Sequence, residues 1–221
     1  MDLMNPLRTA SLKGLRKLNS AWKARRKQRA RREFEAVLLQ SGDLAIDCGA
    51  NIGEITLEMA RNGAEVHAFE PNPQAMAVLR EKVKGRPAVH CHAAAVSDHD
   101  GQASLYLHRK HDVDPMGHSA GSSLVGDKHN LDPDRAIQVP VIDIARFIRD
   151  LDRPVKLLKI DIEGLEARLL NHLLDQDVLD RIEHVFCETH EFKVPGLWRQ
   201  CRALRRRLAA SGVDHVNLDW A

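Results

Sequence analysis

Short apolar runs alternate with segments of helical periodicity from residue 43 to the end of the chain. The apolar runs predict eight strands, at residues 43–48, 65–70, 88–96, 104–108, 137–142, 155–160, 184–188 and 213–218. Apolar residues three or four apart predict helices at 52–62, 73–85, 165–174 and 198–210. Strands that alternate with helices of this length pair in parallel, so the predicted fold is a doubly wound α/β domain.

Two stretches depart from this alternation. Pro140 lacks the N–H of a ladder hydrogen bond, which predicts that the strand at 137–142 is an edge strand or irregular. The long segment 108–135 has no periodicity and is rich in Gly, Asp and His. Because a loop of this length in a compact domain usually has a function, we expect a lid over a binding site. Its histidines, at positions 108, 111, 118 and 129, show no spacing typical of metal ligands.

The charge of the chain is distributed unevenly along its 221 residues, although the net charge is only +2. Residues 1–32 hold eleven Lys or Arg and one acid, a balance of +10 that leaves −8 for the remainder. Apolar residues at helical spacing predict a helix over 9–38: Leu12, Leu15, Leu18 and Trp22. We therefore divide the chain into a basic helical arm, residues 1–36, and a domain, residues 37–221. The arm is either a solvated helix that packs its leucines on the domain or a functional basic surface.

The location of the protein is predicted from its termini, its hydropathy and its cysteines. No run of about 18 apolar residues would span a bilayer. The first residues lack the apolar core of a signal peptide. The four cysteines form no CxxC pair, which favours reduced thiols over a disulfide framework. These features together predict a cytoplasmic protein.

The most informative segment runs from the end of the first strand to the end of the second. The first strand ends in Asp47 and leads through Gly49, Asn51 and Gly53 into a helix. Gly49 permits a tight turn and a close approach of the backbone to a ligand, and Gly53 permits close packing of helix on strand. The second strand ends at Glu70, whose carboxylate can accept hydrogen bonds from both hydroxyls of a ribose. This arrangement predicts a nucleoside site at the carboxyl edge of the sheet.

The spacing of the two glycines indicates which nucleoside binds. A dinucleotide site needs G-x-G-x-x-G so that backbone amides can cradle a pyrophosphate, whereas this chain has G-x-x-x-G with Asn51 in the middle. The spacing therefore disfavours a nicotinamide oxidoreductase. It suits S-adenosylmethionine, which has no phosphate and whose amino-acid end meets the turn after the first strand. The alternative is that Gly49 and Gly53 only shape the turn.

Five segments in order between residues 42 and 192 resemble the FkbM-type S-adenosylmethionine-dependent methyltransferases: DCGANIGEIT, HAFEPNP, VPVIDIARFI, LLKIDIEGLE and ETH. The resemblance implies a class I methyltransferase (Rossmann-like) fold, with a seven-stranded sheet that is mostly parallel and has one antiparallel strand near the C-terminus. It also implies O-methylation of a hydroxyl on a sugar, a glycan or a secondary metabolite. The cofactor pocket of the family maps onto Asp47, Gly49, Asn51, Gly53 and Glu70. The basic arm lies outside the resemblance.

A second polar cluster is predicted at the same edge of the sheet. Asp161 and Glu163 follow the strand at 155–160, and Glu188 and His190 follow the next strand. Alternation places the members of each pair on one side, and consecutive parallel strands are often neighbours, so the four groups should converge beside the cofactor. The alternative is that the two acids only cap the following helix.

Methyl transfer to a hydroxyl requires alignment of the acceptor and removal of its proton. His190 is the first choice for the base, with Glu188 or Glu163 orienting it. A divalent metal ion held by Asp161, Glu188 and His190 is an alternative, because it would lower the pKa of the hydroxyl.

A different class of function is also compatible with the sequence. The arm, residues 1–32, would bind nucleic acid or an anionic membrane in a non-catalytic protein with a vestigial nucleotide pocket. Trp22 is the only aromatic residue within residues 1–32, so base stacking is poorly served. The Asp47 and Glu70 pair also argues for a working pocket. The enzyme, with a small-molecule or glycan acceptor, is therefore the leading hypothesis.

Overall fold

The computed structural model describes the backbone of residues 6–108, 122–124, 131–191 and 193–220. Side chains are described within these ranges from residue 21 onward, except at 108 and 131–134. Most of the predicted lid at 108–135 lies outside the described residues, as do His111, His118 and His129. The predicted apolar face of Leu12, Leu15 and Leu18 lies outside the described side chains.

The helices and strands follow one another in the predicted alternation. The helices are α1 (Pro6–Ala36), α2 (Glu54–Met59), α3 (Pro73–Lys82), α4 (Ile144–Asp150), α5 (Glu166–Asp175) and α6 (Leu197–Ala210). The strands are β1 (Leu44–Cys48), β2 (Glu65–Phe69), β3 (Val89–His92), β4 (Ala95–Ser97), β5 (Gly101–His108), β6 (Leu131–Asp143), β7 (Val155–Ile160), β8 (Ile182–Cys187) and β9 (Val216–Asn217). Short 3₁₀ turns at Ala60–Asn62 and Leu179–Arg181 complete the described elements.

The main sheet has six strands in the order β3-β2-β1-β7-β8-β9. All of its described strand pairs are parallel. β1 and β7 lie side by side at its centre and are almost completely buried, as their apolar sequences predict. The predicted α/β fold with a mostly parallel sheet is confirmed, and the carboxyl ends of β1, β2, β7 and β8 lie along one edge.

The terminal strand differs from the prediction of an antiparallel strand near the C-terminus. β9 pairs in parallel with β8, through Val185 opposite Val216 and Phe186 opposite Asn217. Helix α6 supplies the reason, because this helix of 14 residues carries the chain back to the starting end of the sheet before β9 begins. The antiparallel pairing among the described strands lies instead between β5 and β6.

β4, β5 and β6 form a second, smaller sheet in the order β4-β6-β5. The predicted edge or irregular strand at 137–142 is therefore its central strand. Pro140 is tolerated there because β4 pairs with residues 141–143 only, so that Pro140 has a neighbouring strand on one side, where it lies opposite Gln102.

The two faces of the main sheet are covered by different helices. Leu44, Ile46 and Cys48 of β1 belong to a core shared with α4, α5 and α6. Ala45, between them in sequence, faces the opposite core, which contains Met59 of α2. This alternation along β1 is what a strand covered on both sides requires.

The last turns of α1 are part of that opposite core. Ala30 and Phe34 are buried, and the Phe34 ring packs 4.4 Å from the ring of Trp220 and edge-on at 5.3 Å from the ring of Phe186. Arg31 donates to Glu58 of α2 at 2.6 Å. Core contacts therefore cross the proposed boundary between residues 36 and 37.

Helix hydropathy and the state of the cysteines are two further properties of the described residues. Across the described residues, no helix combines the length and the apolar character that crossing a bilayer would require. All four cysteines lie in the described part of the chain, and each is a free thiol.

We predict that the end of α1 is needed for the stability of the domain. Phe34→Ala should lower the free energy of unfolding by about 3–5 kcal/mol, because it opens a cavity beside the rings of Phe186 and Trp220. Leu38→Ala, at a side chain that is 65% exposed, is the matched control and should change it by less than about 0.5 kcal/mol. If denaturant titrations show that Phe34→Ala and Leu38→Ala both change the free energy of unfolding only slightly, α1 is not needed for the stability of the domain.

Candidate functional site

A cleft opens at the carboxyl edge of the main sheet, where β1, β2 and β7 end. Its volume is about 650 Å³ including its open mouth. Five of the residues predicted from the sequence line it: Gly49, Asn51, Glu70, Asp161 and Glu163. Apolar side chains of the small sheet and residues 122–124 close it on another side, so a described part of the predicted lid does border this cleft. We call this space the first cleft.

Glu70 is held at the floor of the first cleft by two backbone amides. Asn51 N–H donates to one carboxylate oxygen at 2.8 Å, and Asn72 N–H donates to the other at 2.8 Å. Asn51 reaches this position with a left-handed backbone (φ 48°), which asparagine tolerates better than most residues. Each carboxylate oxygen keeps a further lone pair that can accept a hydrogen bond from a ligand hydroxyl.

The pKa of Glu70 is raised to about 7. Burial is the main cause, because it disfavours the charged carboxylate, and the amides of Asn72 and Asn51 offset only part of this effect. The carboxylate therefore exchanges its proton near neutral pH. A ligand that needs the ionised carboxylate of Glu70 binds only after this group has released its proton.

The two glycines of the first turn have different packing requirements. A Cβ on Gly49 would lie 1.8 Å from the carbonyl oxygen of Asp161, so the close approach that this glycine permits is to the backbone after β7. A Cβ on Gly53 would lie 2.4 Å from a side-chain carbon of Leu79 on α3, and the close packing predicted for this glycine is with another helix. Both have positive φ, at 80° and 86°, which favours glycine independently.

Asp47 does not reach the first cleft; it forms a buried ion pair beneath it. Its two carboxylate oxygens contact the ammonium of Lys159 at 3.1 Å and accept the hydroxyl hydrogen bond of Thr56 at 2.7 Å. Lys159 also donates to the carbonyl of Gly49 at 2.8 Å and lies 3.9 Å from Asp161. Burial lowers the pKa of Lys159, but attraction to Asp47 and Asp161 outweighs it and raises the pKa, so the lysine is charged.

Lys159 carried no role in the sequence analysis, although a signal was available. It is the buried one of the two lysines in a strand that is otherwise apolar, and it lies directly opposite Asp47 in the parallel register of β1 and β7. A buried charge needs a partner, and Asp47 is the acid at the equivalent depth of the neighbouring strand.

The four residues of the second predicted cluster do converge. His190 is buried, and its Nε2 lies 3.2 Å from Glu163, 3.7 Å from Asp161 and 3.9 Å from Glu188. Nδ1 on the other side of the ring lies 2.8 Å from Oε1 of Glu166. Glu163 therefore contacts the imidazole as expected, whereas Glu188 is its most distant carboxylate.

The structure assigns His190 a different charge state from the one a base requires. Burial lowers its pKa, but hydrogen bonds and attraction to Glu163 and Glu166 outweigh this effect and raise it to about 10. The imidazole then carries two protons at neutral pH and has no lone pair to accept another. An imidazole in this state would not accept the proton of the acceptor, and the role of His190 as the base stays a prediction.

Glu166 is the member of the cluster that the sequence analysis missed. It is fully buried at the start of α5, and one of its oxygens accepts from the amide of Gly164 at 2.9 Å as well as contacting His190. The available signal was an acid in the first turn of a helix, where the helix dipole favours negative charge. Glu166 follows β7 and His190 follows β8, so the spacing of residues along the chain could not show that the two side chains are in contact.

Asp161 lines the first cleft, and the neighbouring cations compensate only part of the cost of burying its negative charge. Its pKa is raised to about 6, first by burial and then by repulsion from Glu188 and Glu163, while Lys159 and His190 act in the opposite direction. One of its oxygens is buried without a hydrogen bond from the described residues. Glu163 beside it has a left-handed backbone (φ 59°), an uncommon conformation for a residue with a Cβ, and such strain often occurs at functional sites.

The metal alternative is only partly supported by this geometry. Donor atoms of Asp161, Glu166 and His190 lie within 4.8 Å of one another, so Glu166 takes the place that was predicted for Glu188. However, Oε1 of Glu166 already serves a backbone amide and the imidazole, and a metal would have to replace a proton of His190. The proton of His190 already offsets part of the negative charge of the surrounding carboxylates. We therefore derive no step through a metal.

A second cleft lies on the other side of the cluster, between α1, α6 and the chain that follows β8. Its volume is about 1140 Å³ including its open mouth. It is lined by five basic and three acidic side chains: Lys23, Arg26, Lys27, Lys193 and Arg205 with Glu188, Glu191 and Asp219. Trp22 lies at its border with 55% of the residue exposed, and the Arg26 guanidinium stacks 4.4 Å from its ring centre.

The carboxylate and imidazole cluster forms the wall between the two clefts. Asp161 and Glu163 line the first cleft, and Glu188 and His190 line the second. Contacts of 3.2–3.9 Å join the imidazole to these carboxylates across the wall. The arrangement can hold one molecule on each side of a charged, hydrogen-bonding partition.

Comparisons with known proteins identify the family. The crystal structure of Methyltransferase FkbM from Methylobacillus flagellatus is similar to this chain with a TM-score of 0.44 and 14% identity, over 83% of this chain and 43% of that one. The chain thus spans less than half of that protein, and none of the curated proteins matches it. The Methyltransferase FkbM domain matches residues 47–214. This range includes every residue named above for the first cleft and for the carboxylate and imidazole cluster. The chain belongs to the FkbM methyltransferase family.

Proposed function

We propose that the protein is an S-adenosylmethionine-dependent O-methyltransferase whose two substrates occupy the two clefts. The observation that supports this proposal is the wall of Asp161, Glu163, Glu188 and His190, since it borders both clefts at the carboxyl edge of the sheet. In-line transfer requires direct contact between the acceptor oxygen and the methyl carbon as the bond from carbon to sulfur breaks, so the acceptor hydroxyl would enter the first cleft past the edge of this wall while the rest of the acceptor lies in the second cleft. Membership of the methyltransferase family gives the reaction class.

The first cleft fits the methyl donor by its donor and acceptor groups. The carboxylate of Glu70 would accept hydrogen bonds from the ribose hydroxyls, and the turn from Gly49 to Asn51 borders the same space. Asp47 supports this turn from below through Lys159, which holds the carbonyl of Gly49. When bound, S-adenosylmethionine supplies a methyl group activated by its sulfonium.

The second cleft has the properties of an acceptor site for an anionic, hydroxylated compound. Its described lining is richer in basic than in acidic side chains, and Trp22 offers an exposed ring for stacking. A sugar, a glycan or a secondary metabolite that carries a carboxylate or phosphate matches both features. The arm then contributes to acceptor binding, in addition to its packing through Phe34.

We assign the proton acceptor to Asp161 and an electrostatic role to His190. Asp161 has a pKa of about 6 and an oxygen without a hydrogen bond from the described residues, which suits a general base. The imidazolium of His190 lies 3.7 Å from Asp161 and favours its ionised form. Glu163 and Glu166 keep His190 charged and fixed in orientation.

The non-catalytic alternative and the location of the protein stay predictions. Several arginines of the arm already pair with acids of the chain, as in Arg26 with Asp219 and Arg31 with Glu58. This pairing reduces the charge that the arm offers to nucleic acid or to an anionic membrane. The free thiols accord with the cytoplasmic location that we propose.

We predict that binding of S-adenosylmethionine weakens as the pH falls below about 7, by up to tenfold per pH unit, because protonated Glu70 cannot accept both ribose hydroxyls. Calorimetry between about pH 5 and about pH 8 checks this pH dependence, because a carboxyl with a pKa of about 7 changes its charge within that range. Glu70→Gln should weaken binding by about 1.5–3 kcal/mol and remove the dependence, whereas Asp161→Asn should retain it. A folded Glu70→Gln protein with unchanged affinity and pH dependence contradicts the assignment.

We predict that kcat at saturating S-adenosylmethionine rises as the pH increases through about 6, where Asp161 loses its proton. Asp161→Asn should lower kcat by roughly 10²–10⁴-fold and abolish the rise, whereas His190→Gln should lower kcat and keep the rise. The assay is methyl uptake onto an acceptor found by screening hydroxylated acids, glycans and secondary metabolites. A rise centred near 10 that His190→Gln removes would instead make His190 the base.

We predict that Lys27 contributes to acceptor binding. Lys27→Glu should raise the KM of an anionic acceptor by about tenfold, through repulsion in the second cleft, and leave the affinity for S-adenosylmethionine unchanged. Lys84→Glu, an exposed lysine outside both clefts, is the matched control and should change neither quantity. An acceptor KM that Lys27→Glu does not alter would remove the arm from the acceptor site.

A further inference from the structure

A second group of potential ligands lies on β2 and β3, on residues to which neither cleft assigns a role. Glu65 and His67 lie two residues apart on β2 and therefore point to the same face of the sheet. His90 lies directly opposite His67 in the parallel register of β3. Glu65 begins β2, whereas Phe69 at the other end of the strand lines the first cleft.

The donor atoms of these residues have the spacing of a tetrahedral metal site. Oε1 of Glu65 lies 3.4 Å from Nε2 of His67 and 3.3 Å from Nε2 of His90. Ligands at about 2.0–2.1 Å from a tetrahedral Zn²⁺ ion are separated by about 3.3 Å. All three donor atoms lie within 4.8 Å of one another.

His67 provides an independent observation that points to a ligand. Its residue is 8% exposed, and its Nε2 is buried without a hydrogen bond from any residue that the structure describes. On the other side of the ring, Nδ1 lies 3.0 Å from Nε2 of His92. In the tautomer that carries its proton on Nδ1 and donates it to His92, the Nε2 lone pair points toward Glu65, and a cation bound between these two acceptors relieves their repulsion.

The neighbouring residues orient all of these ligands. Arg153 donates to the other carboxylate oxygen of Glu65 at 2.7 Å, which leaves Oε1 turned toward the histidines. The ring of His67 stacks at 4.8 Å on that of His90 and meets the ring of Phe147 edge-on at 5.2 Å. Metal-binding histidines usually have their second nitrogen held by such an outer partner, and His92 takes that place here.

We propose that Glu65, His67 and His90 bind a zinc-like divalent metal ion, separate from the methyl-transfer site. Two imidazoles and one carboxylate form a set typical of Zn²⁺ with an open fourth position. The side chains of His90 and Glu65 are 44% and 32% exposed, so the ion is reached from solvent and water completes its coordination. The ion ties β3, the outermost strand of the sheet, to β2.

The test is stoichiometric metal binding by the full chain after treatment with a chelator. Calorimetry with Zn²⁺, and the visible absorption of tetrahedral Co²⁺, should show one equivalent bound by the wild-type protein. His90→Ala should weaken Zn²⁺ binding by about 100-fold or more, since loss of an outer partner alone costs about 10–100-fold. His99→Ala, at an exposed histidine of another strand connection, is the matched control and should bind as the wild type does.

Asp161→Asn separates this site from the cluster at the clefts and should leave binding unchanged. Zn²⁺ should also raise the Tm of the wild type and of Asp161→Asn, and not that of His90→Ala, because an ion that binds only the folded state stabilises it. Absence of saturable binding in the wild type would overturn the proposal. Binding that survives in His90→Ala, or that Asp161→Asn removes, would overturn it equally.

Discussion

The buried pair of Lys159 and Asp47 is the interaction on which the geometry of the site depends. It joins the two central strands where both end, and the same ammonium holds the carbonyl of Gly49 and attracts Asp161. Breaking such a pair by removing one partner costs about 3–5 kcal/mol, because the other charge stays buried. One cation thus fixes the turn that borders the first cleft and the acid that we propose as the base.

Charge balance around this pair explains why chemically similar residues behave differently. Among the described residues, the hydrogen bonds to Glu70 come from backbone amides, and burial outweighs them and the attraction to Lys159, so its pKa rises to about 7. His190 is surrounded by carboxylates, so attraction overcomes burial and its pKa rises to about 10. Asp161 lies between Lys159 and the remaining acids, and its pKa settles near 6. The surroundings therefore assign the roles of these groups, and residue type alone does not.

The alternation of strands and helices was predictable because it follows from local hydropathy. The sequence placed Glu70 and Asp161 at strand ends, and the parallel sheet brought those ends together. The contact of Glu166 with His190 was not predictable, since it joins residues 24 positions apart through the packing of α5 on β8. The parallel pairing of β9 also escaped prediction, because two residues contain too little pattern to show the direction of a strand.

The most direct test of the account is a crystal structure with S-adenosylhomocysteine, the product that retains every group of the donor except the methyl. We expect the ribose hydroxyls to contact Glu70 and the sulfur to face Asp161, within about 6 Å of its carboxylate, which is the reach of one bridging water. The second cleft should stay open on the far side of His190. A ligand whose ribose lies away from Glu70, or whose sulfur faces away from this wall, would contradict the account.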